Sequence, residues 1–236
     1  MNKVIVVSGA GKGIGKAIAE RFGVGGFDVA ICARTKSDLE VVKNEIEKAK
    51  KSTAKVFAYV CDVSKKEELK TFAEKVLAEF DRVDVLVNNA GTFIPGRVFD
   101  EPEGTLEKLI ETNLYSAYHL SRFLLPSMID KESGQIFNVC SVAGIQSYPN
   151  GGSYSISKFA MIGLSKALRE ELKPYNIKVT SLIPGATFTD SWANSGLPES
   201  RFMKVEDIAK TVWDIHHLSD NTVVEEIILR PIEGDI

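Results

Sequence analysis

The chain has 236 residues, 44% of them apolar and 26% charged, which suits one domain with a full core and excludes a disordered or collagen-like chain. Lys and Arg number 29 against 32 Asp and Glu, a formal net charge of -3, so the basic footprint of a nucleic-acid binder is missing. Three cysteines, Cys32, Cys61 and Cys140, each lie in or at the end of an apolar run, the pattern of a reduced, cytoplasmic protein rather than a disulfide scaffold.

Met1-Asn2-Lys3 passes directly into Val4-Ile5-Val6-Val7 and Ser8-Gly9, with no signal-peptide core or cleavage site. No stretch approaches the roughly 20 apolar residues that cross a bilayer, so no membrane partner is expected. Short β-branched runs alternate with longer helical patterns, and strands are expected near 3–8, 28–33, 55–60, 83–88, 134–140, 177–182 and 223–230. That order predicts an α/β fold, a Rossmann-type doubly wound sheet of about seven parallel strands flanked by helices. With no repeat or linker, it predicts one domain over 1–236.

After the first strand stands Ser8-Gly9-Ala10-Gly11-Lys12-Gly13-Ile14-Gly15, followed by helical spacing from Lys16 to Phe22. Glycines allow a tight turn and close approach of a cofactor, and the helix start offers free N–H groups to a pyrophosphate. The second strand ends in Ala33-Arg34-Thr35, without the carboxylate that accepts a ribose 2′-OH. Arg34 and Lys12 suit a 2′-phosphate instead, so NADP(H) is expected over NAD(H). Ser37 with Glu40, and Ser64 with Glu67, match capping boxes at two helix starts.

Ser141 follows Ile136-Phe137-Asn138-Val139-Cys140, at the carboxyl end of a strand, where its hydroxyl can meet a developing oxyanion. Tyr154-Ser155-Ile156-Ser157-Lys158 sets a phenol and an ammonium on one helix face. The ammonium is expected to lower the phenol pKa and make Tyr154 a proton donor to a carbonyl. The irregular segment near 184–204 holds Phe188, Trp192, Leu197, Phe202 and Met203, as a substrate loop with apolar anchors does. Tyr148, with Ile145, Phe93 and Ile94, follows strand ends and is expected at the same cavity. His119 and His216-His217 lack metal-ligand spacing, and no metal is expected.

These residues together resemble the short-chain dehydrogenase/reductase family over essentially the whole chain. Its Thr-Gly-xxx-Gly-x-Gly element is matched by Ser8 to Gly15, with Ser8 for Thr, and its Asn-Asn-Ala-Gly element by Asn88, Asn89, Ala90 and Gly91. Asp62, followed by Val63, matches the acid that meets the adenine amine, and Pro184-Gly185 with Thr187 and Thr189 matches the turn that touches the nicotinamide carboxamide. The resemblance implies a catalytic set of Asn113, Ser141, Tyr154 and Lys158. Tyr154 would be the acid/base, Ser141 the carbonyl polariser, Lys158 a holder of ribose hydroxyls, and Asn113 the site of a relay water. It also implies a homotetramer or homodimer, joined through helices near 105–130 and 153–173.

The ending from Thr222 to Ile236 and the Ser8–Gly15 segment are similar to a bacterial sepiapterin-reductase-like branch. Substrate contacts are then expected from Ser141, Tyr148, Tyr154 and Trp192, with a pterin side-chain ketone or small dicarbonyl as substrate. Asp190, Glu233 and Asp235 are the acids available to a pterin. A 3-oxoacyl thioester reductase and a redox sensor that binds NADP(H) without turnover stand as alternatives.

Overall fold

The apolar run after Lys3 forms β1 (Val4–Ser8), buried throughout. Its side chains divide by parity: Ile5 and Val7 enter one hydrophobic layer, Val4 and Val6 the other, as the two-residue period of a strand requires. Such a strand belongs inside a sheet covered on both faces. It is joined there by β2 (Asp28–Ala33), β3 (Val56–Val60), β4 (Val85–Asn88), β5 (Gly134–Val139), β6 (Ile177–Pro184) and β7 (Glu226–Leu229). The order is β3-β2-β1-β4-β5-β6-β7 and every pairing is parallel. This computed structural model describes residues 2–49, 53–192 and 195–235. Ala193 and Asn194, inside the expected substrate loop, lie outside the described residues.

Between the strands run α1 (Gly13–Val24), α2 (Lys36–Ala49), α3 (Lys66–Phe80), α4 (Thr105–Ile110), α5 (Ser116–Ile129), α6 (Gly152–Leu172) and α7 (Val205–His216). Phe22 of α1, Leu39 and Ile46 of α2 and Val212 of α7 cover one face of the sheet. Phe72 of α3, Leu120 of α5 and Leu168 of α6 cover the other. Connections run one way from β1 to β3 and the other way from β4 onward, so a crevice opens at the carboxyl ends of β1 and β4.

Three local expectations are corrected. α2 opens at Lys36, which puts Ser37 inside its first turn rather than at the cap. Ser64 does not cap α3: its hydroxyl donates to Asp62 Oδ1 at 2.8 Å, and Lys65 occupies the cap without a side-chain bond. A carboxylate two residues away is a stronger, charge-assisted acceptor than the helix amides are donors to a hydroxyl. The helix expected near 105–130 is interrupted by a π-helical turn, Glu111–Tyr115, between α4 and α5. The extra residue per turn re-aims Asn113 at its centre, as such turns do beside functional sites.

Candidate active site

The glycine turn between β1 and α1 is shaped for close approach. Gly9 has φ +65°, and a Cβ there would fall 2.7 Å from Ala90 Cα. Lys12 stands at the cap of α1 without a side-chain bond to the helix, and the first turn holds no acid. The amides of Gly13, Ile14 and Gly15 open the helix, where first-turn N–H groups lack intrahelical partners and suit an anion. The Ser8 hydroxyl accepts from the amides of Asn89 (3.1 Å) and Ala90 (3.2 Å). Asn89 Nδ2 donates back to the carbonyls of Ser8 and Gly9, both at 3.0 Å. The ends of β1 and β4 are thus stitched together around the turn.

Just beyond β2 Arg34 is exposed, and its charge acts on Asp62. Burial pushes the Asp62 carboxyl up, but hydrogen bonds from Ser64 and the charges of Arg34 and Lys65 win and hold it below its ordinary value. Val63 turns its side chain into the core, so only its backbone is available to a ligand. Lys12 Nζ lies 3.1 Å from Asp190 and 3.8 Å from Asp38, and the Asp190 hydrogen bond raises its pKa. Asp38 was not among the expected residues: the carboxylate at this end comes from the first turn of α2, beside Gly11, not from the end of β2. The helical approach of α2 to the turn is the missing information.

Ser141 follows β5 and caps a short 3-10 turn, Val142–Gly144, accepting from Ala143 N at 3.1 Å. Tyr154 and Lys158 lie on α6, and the Ser141 hydroxyl acts on the Tyr154 phenol, lowering its pKa. The Tyr154 ring makes an edge contact with Phe93, centroids 4.9 Å apart. Lys158 is buried, donates to Val139 O at 3.0 Å and stands 5.8 Å from the Tyr154 ring centroid. Asn113 is fully enclosed: its Oδ1 accepts from Thr92 N (2.7 Å) and its Nδ2 donates to Thr92 O and Ser157 Oγ, both 3.0 Å. A Cβ placed on Gly91 would stand 3.3 Å from Asn113 Oδ1 and 3.5 Å from Lys158 Nζ. Asn113 and Lys158 therefore converge on the turn after β4. Ser157, inside the Tyr-to-Lys interval but unexpected from it, joins the Thr92 backbone in orienting Asn113.

The expected lowering of the Tyr154 pKa is corrected. Burial raises it, the Ser141 hydroxyl only partly offsets this, and Cys140 adds to the rise. Burial also lowers Lys158, and it holds the Cys140 thiol up at about 11. In a low-dielectric pocket burial disfavours the charged form of each member of the pair, raising the phenol and lowering the amine.

Beyond β6, Gly185 N–H donates to Leu229 O at 2.7 Å and Thr187 Oγ1 donates to Gly185 O at 3.1 Å. Thr189 covers the glycine turn, its Cγ2 being 3.1 Å from a Cβ placed on Gly13. Trp192 packs on Phe202, centroids 5.3 Å apart. Tyr148 is exposed on one side, and the partial desolvation of its phenol raises its pKa to about 12. With Val98, Phe99, Ile156 and Phe159 it lines an open apolar groove of about 620 Å³. The three acids considered for a pterin are each engaged: Asp190 with Lys12, Glu233 with Arg201, Asp235 with Arg230. His216 is a core histidine against Phe22 and Phe27, 2.9 Å from Gln135 Oε1, and burial lowers its pKa to about 4. Among the described residues no group of three or more His, Cys, Asp or Glu is gathered as metal ligands, and no helix is long and apolar enough to cross a membrane.

Comparison with known proteins agrees with this geometry. A short chain dehydrogenase family model matches residues 3–199. Sepiapterin reductase of Chlorobaculum tepidum is 32% identical over 100% of this chain and 99% of its own. A 3-oxoacyl-acyl-carrier-protein reductase of Thermotoga maritima is 32% identical over 96% of this chain and 95% of its own. An alcohol dehydrogenase of Thermococcus sibiricus, solved with 5-hydroxy-NADP, superposes with a TM-score of 0.91 at 30% identity, covering 100% of this chain and 99% of the other. With a glycine cradle at β1, a Ser-Tyr-Lys set at β5 and α6, and relatives matched end to end, the chain belongs to the short-chain dehydrogenase family of oxidoreductases.

Proposed function

We propose that this chain is an NADPH-dependent carbonyl reductase, one NADP(H)-binding domain whose substrate loop lies near 184–204. The convergence of Ser141, Tyr154 and Lys158 beside the glycine cradle is the observation that carries this reading. When bound, the reduced nicotinamide supplies the hydride. The cradle amides at Gly13 to Gly15 would hold the pyrophosphate, Arg34 and Lys12 the 2′-phosphate, and Asp62 with Val63 the adenine. Asn89, Ala90 and Gly91 would border the ribose, with Pro184-Gly185, Thr187 and Thr189 at the nicotinamide.

Tyr154 keeps its proton because burial disfavours the phenolate, and it releases that proton to the substrate oxygen as charge develops there. Ser141 stands at the end of β5 as the cap of the 3-10 turn, where its hydroxyl would steady that oxygen. Lys158 and Asn113, meeting at Gly91, form the inner end of the path that returns the proton. A redox sensor would not require that path, so an enzyme is the better reading.

Tyr148 and Trp192 with Ser141 and Tyr154 would contact the substrate. A pterin side-chain ketone or small dicarbonyl is favoured by the end-to-end match to a sepiapterin reductase; the 3-oxoacyl thioester reading is favoured by a match of equal identity. NADPH oxidation followed with sepiapterin, a simple diketone and a 3-oxoacyl thioester separates them. No carbonyl-dependent oxidation in such a panel, alongside tight NADPH binding, would instead support the sensor. A homotetramer or homodimer in the cytoplasm is proposed, supported by exposed apolar side chains on the two helical stretches: Tyr115 and Tyr118 on one, Ile156 and Phe159 on the other.

Two results are expected here. Ala33→Asp combined with Arg34→Ala should weaken NADPH about tenfold or more and improve NADH, because a charge-assisted bond of about 1.5–3 kcal/mol is exchanged for a ribose-accepting carboxylate. Fluorescence titration with both nucleotides checks it, and an unchanged preference would defeat the assignment of Arg34. In protein without nucleotide, the phenol lost in Tyr154→Phe should ionise above the ordinary tyrosine value, since burial raises it. Ser141→Ala should move that ionisation to still higher pH, since the hydroxyl lowers it. Ultraviolet difference titration reads both, and a downward shift in Ser141→Ala would contradict the geometry.

A further inference from the structure

The segment that follows β7 has no role in the reading above, yet it is tied to the base of the substrate loop. That base is closed by a bridge between Thr187 and Met203. Phe188 N–H donates to Met203 O at 2.9 Å, and Met203 N–H to Ala186 O at 3.0 Å. Phe202 is buried at this neck and packs on Phe188 and Trp192. Next to it stands Arg201, its side chain only 18% exposed. One guanidinium nitrogen donates to Gly234 O and the other to Asp235 O, both at 3.0 Å, and Nε lies 3.5 Å from Glu233 Oε2. The same segment presses on the turn at the nicotinamide end. A Cβ on Gly185 would fall 3.0 Å from Asp235 Oδ1 and 3.2 Å from Pro231 Cδ, and Arg230 pairs with Asp235.

We infer that Arg201 is a positioning residue that straps the neck of the substrate loop to residues 230–235, so that this segment sets where Phe188 and Trp192 stand at the carbonyl site. The loop has a second tie, Lys12 to Asp190, but those side chains are 60% and 76% exposed, and ion pairs in water contribute little. Arg201 differs in kind. Two bonds to successive backbone carbonyls from a rigid planar fork fix direction as well as distance. A neck that shifted by one residue would leave those carbonyls and a mostly buried cation without partners. The consequence for substrate rests on the proposed carbonyl reduction; the strap itself does not.

The test uses the full chain with Arg201→Met, which keeps the stem without the donors, and Arg201→Lys, which keeps the charge. Hydrogen exchange should speed up about tenfold in Arg201→Met at residues 186–188 and 201–203 and, together with them, at 230–235, while strands β1 to β5 stay protected. Arg201→Lys should recover part of that protection. With sepiapterin or 2,3-butanedione as probe, KM should rise about tenfold with kcat and NADPH affinity within about twofold of the parent, the signature of lost substrate positioning rather than lost chemistry. Unchanged exchange at the neck would overturn the strap, and so would faster exchange with KM unmoved. If the parent protein oxidises NADPH with neither probe while the exchange result holds, the strap is supported and the substrate reading is what fails.

Discussion

Tyr154→Phe is expected to lower kcat for carbonyl reduction by about 10²- to 10⁴-fold, the range spanned by a positioned general acid. The substitution removes one oxygen and keeps the ring, so the edge contact with Phe93 at 4.9 Å survives, and NADPH affinity and the unfolding midpoint should stay near those of the parent. The proton is the difference. In the parent, burial disfavours loss of the phenol proton; in the variant no acid at that position can meet the oxygen as it gains charge. Ser141→Ala should lose less, because the phenol remains. Steady-state kinetics with saturating NADPH reads the result. A kcat within about threefold of the parent would remove Tyr154 from the chemistry and turn attention to a solvent proton.

Gly15→Ala is expected to weaken cofactor binding markedly through one added methyl group. Its Cβ would lie 2.4 Å from Asn89 Nδ2, 2.6 Å from Gly9 O and 3.1 Å from Ala10 Cα. Two of these three are backbone atoms of the glycine turn. Asn89 cannot simply swing away, since its Nδ2 already donates to Ser8 O and Gly9 O. The turn must give instead, and overpacking of this kind costs about 1–3 kcal/mol. For a chain of this size that lowers the melting midpoint by roughly 2–4 °C per kcal/mol. NADPH should bind about tenfold more weakly or worse, because the displaced amides are the cradle. Gly163→Ala is the control: a Cβ there meets nothing within 4 Å on an exposed turn of α6, so it should leave binding untouched and stabilise the helix slightly. Fluorescence titration and thermal melts of both variants decide it, and parental NADPH affinity in Gly15→Ala would mean that the turn does not hold the cofactor.

Much of this was already written in local pattern. Parity along Val4 to Val7 requires a strand buried on both faces, and the run from Ser8 to Gly15 between strand and helix marks the phosphate turn. Tyr154 and Lys158 share a helix face because four residues make about one turn, wherever that helix is docked. These features depend on neighbours in the chain, and the chain states them. Positions reached across the fold were not legible. Asp38 approaches Lys12 only because α2 packs beside the glycine turn, and Ser157 orients Asn113 only because a π-helical turn at Glu111–Tyr115 rotates that side chain toward α6. The sign of the Tyr154 shift went the same way. Sequence spacing places a cation near the phenol, but burial is a property of everything packed around it, and here burial outweighs the lowering effect of the Ser141 hydroxyl. The strap from Arg201 to Gly234 and Asp235 joins residues more than thirty positions apart through backbone carbonyls, which carry no sequence signature at all. Local order is set by the periodicity of the chain itself; distance, burial and electrostatic sign come into being only when its separate segments are brought together.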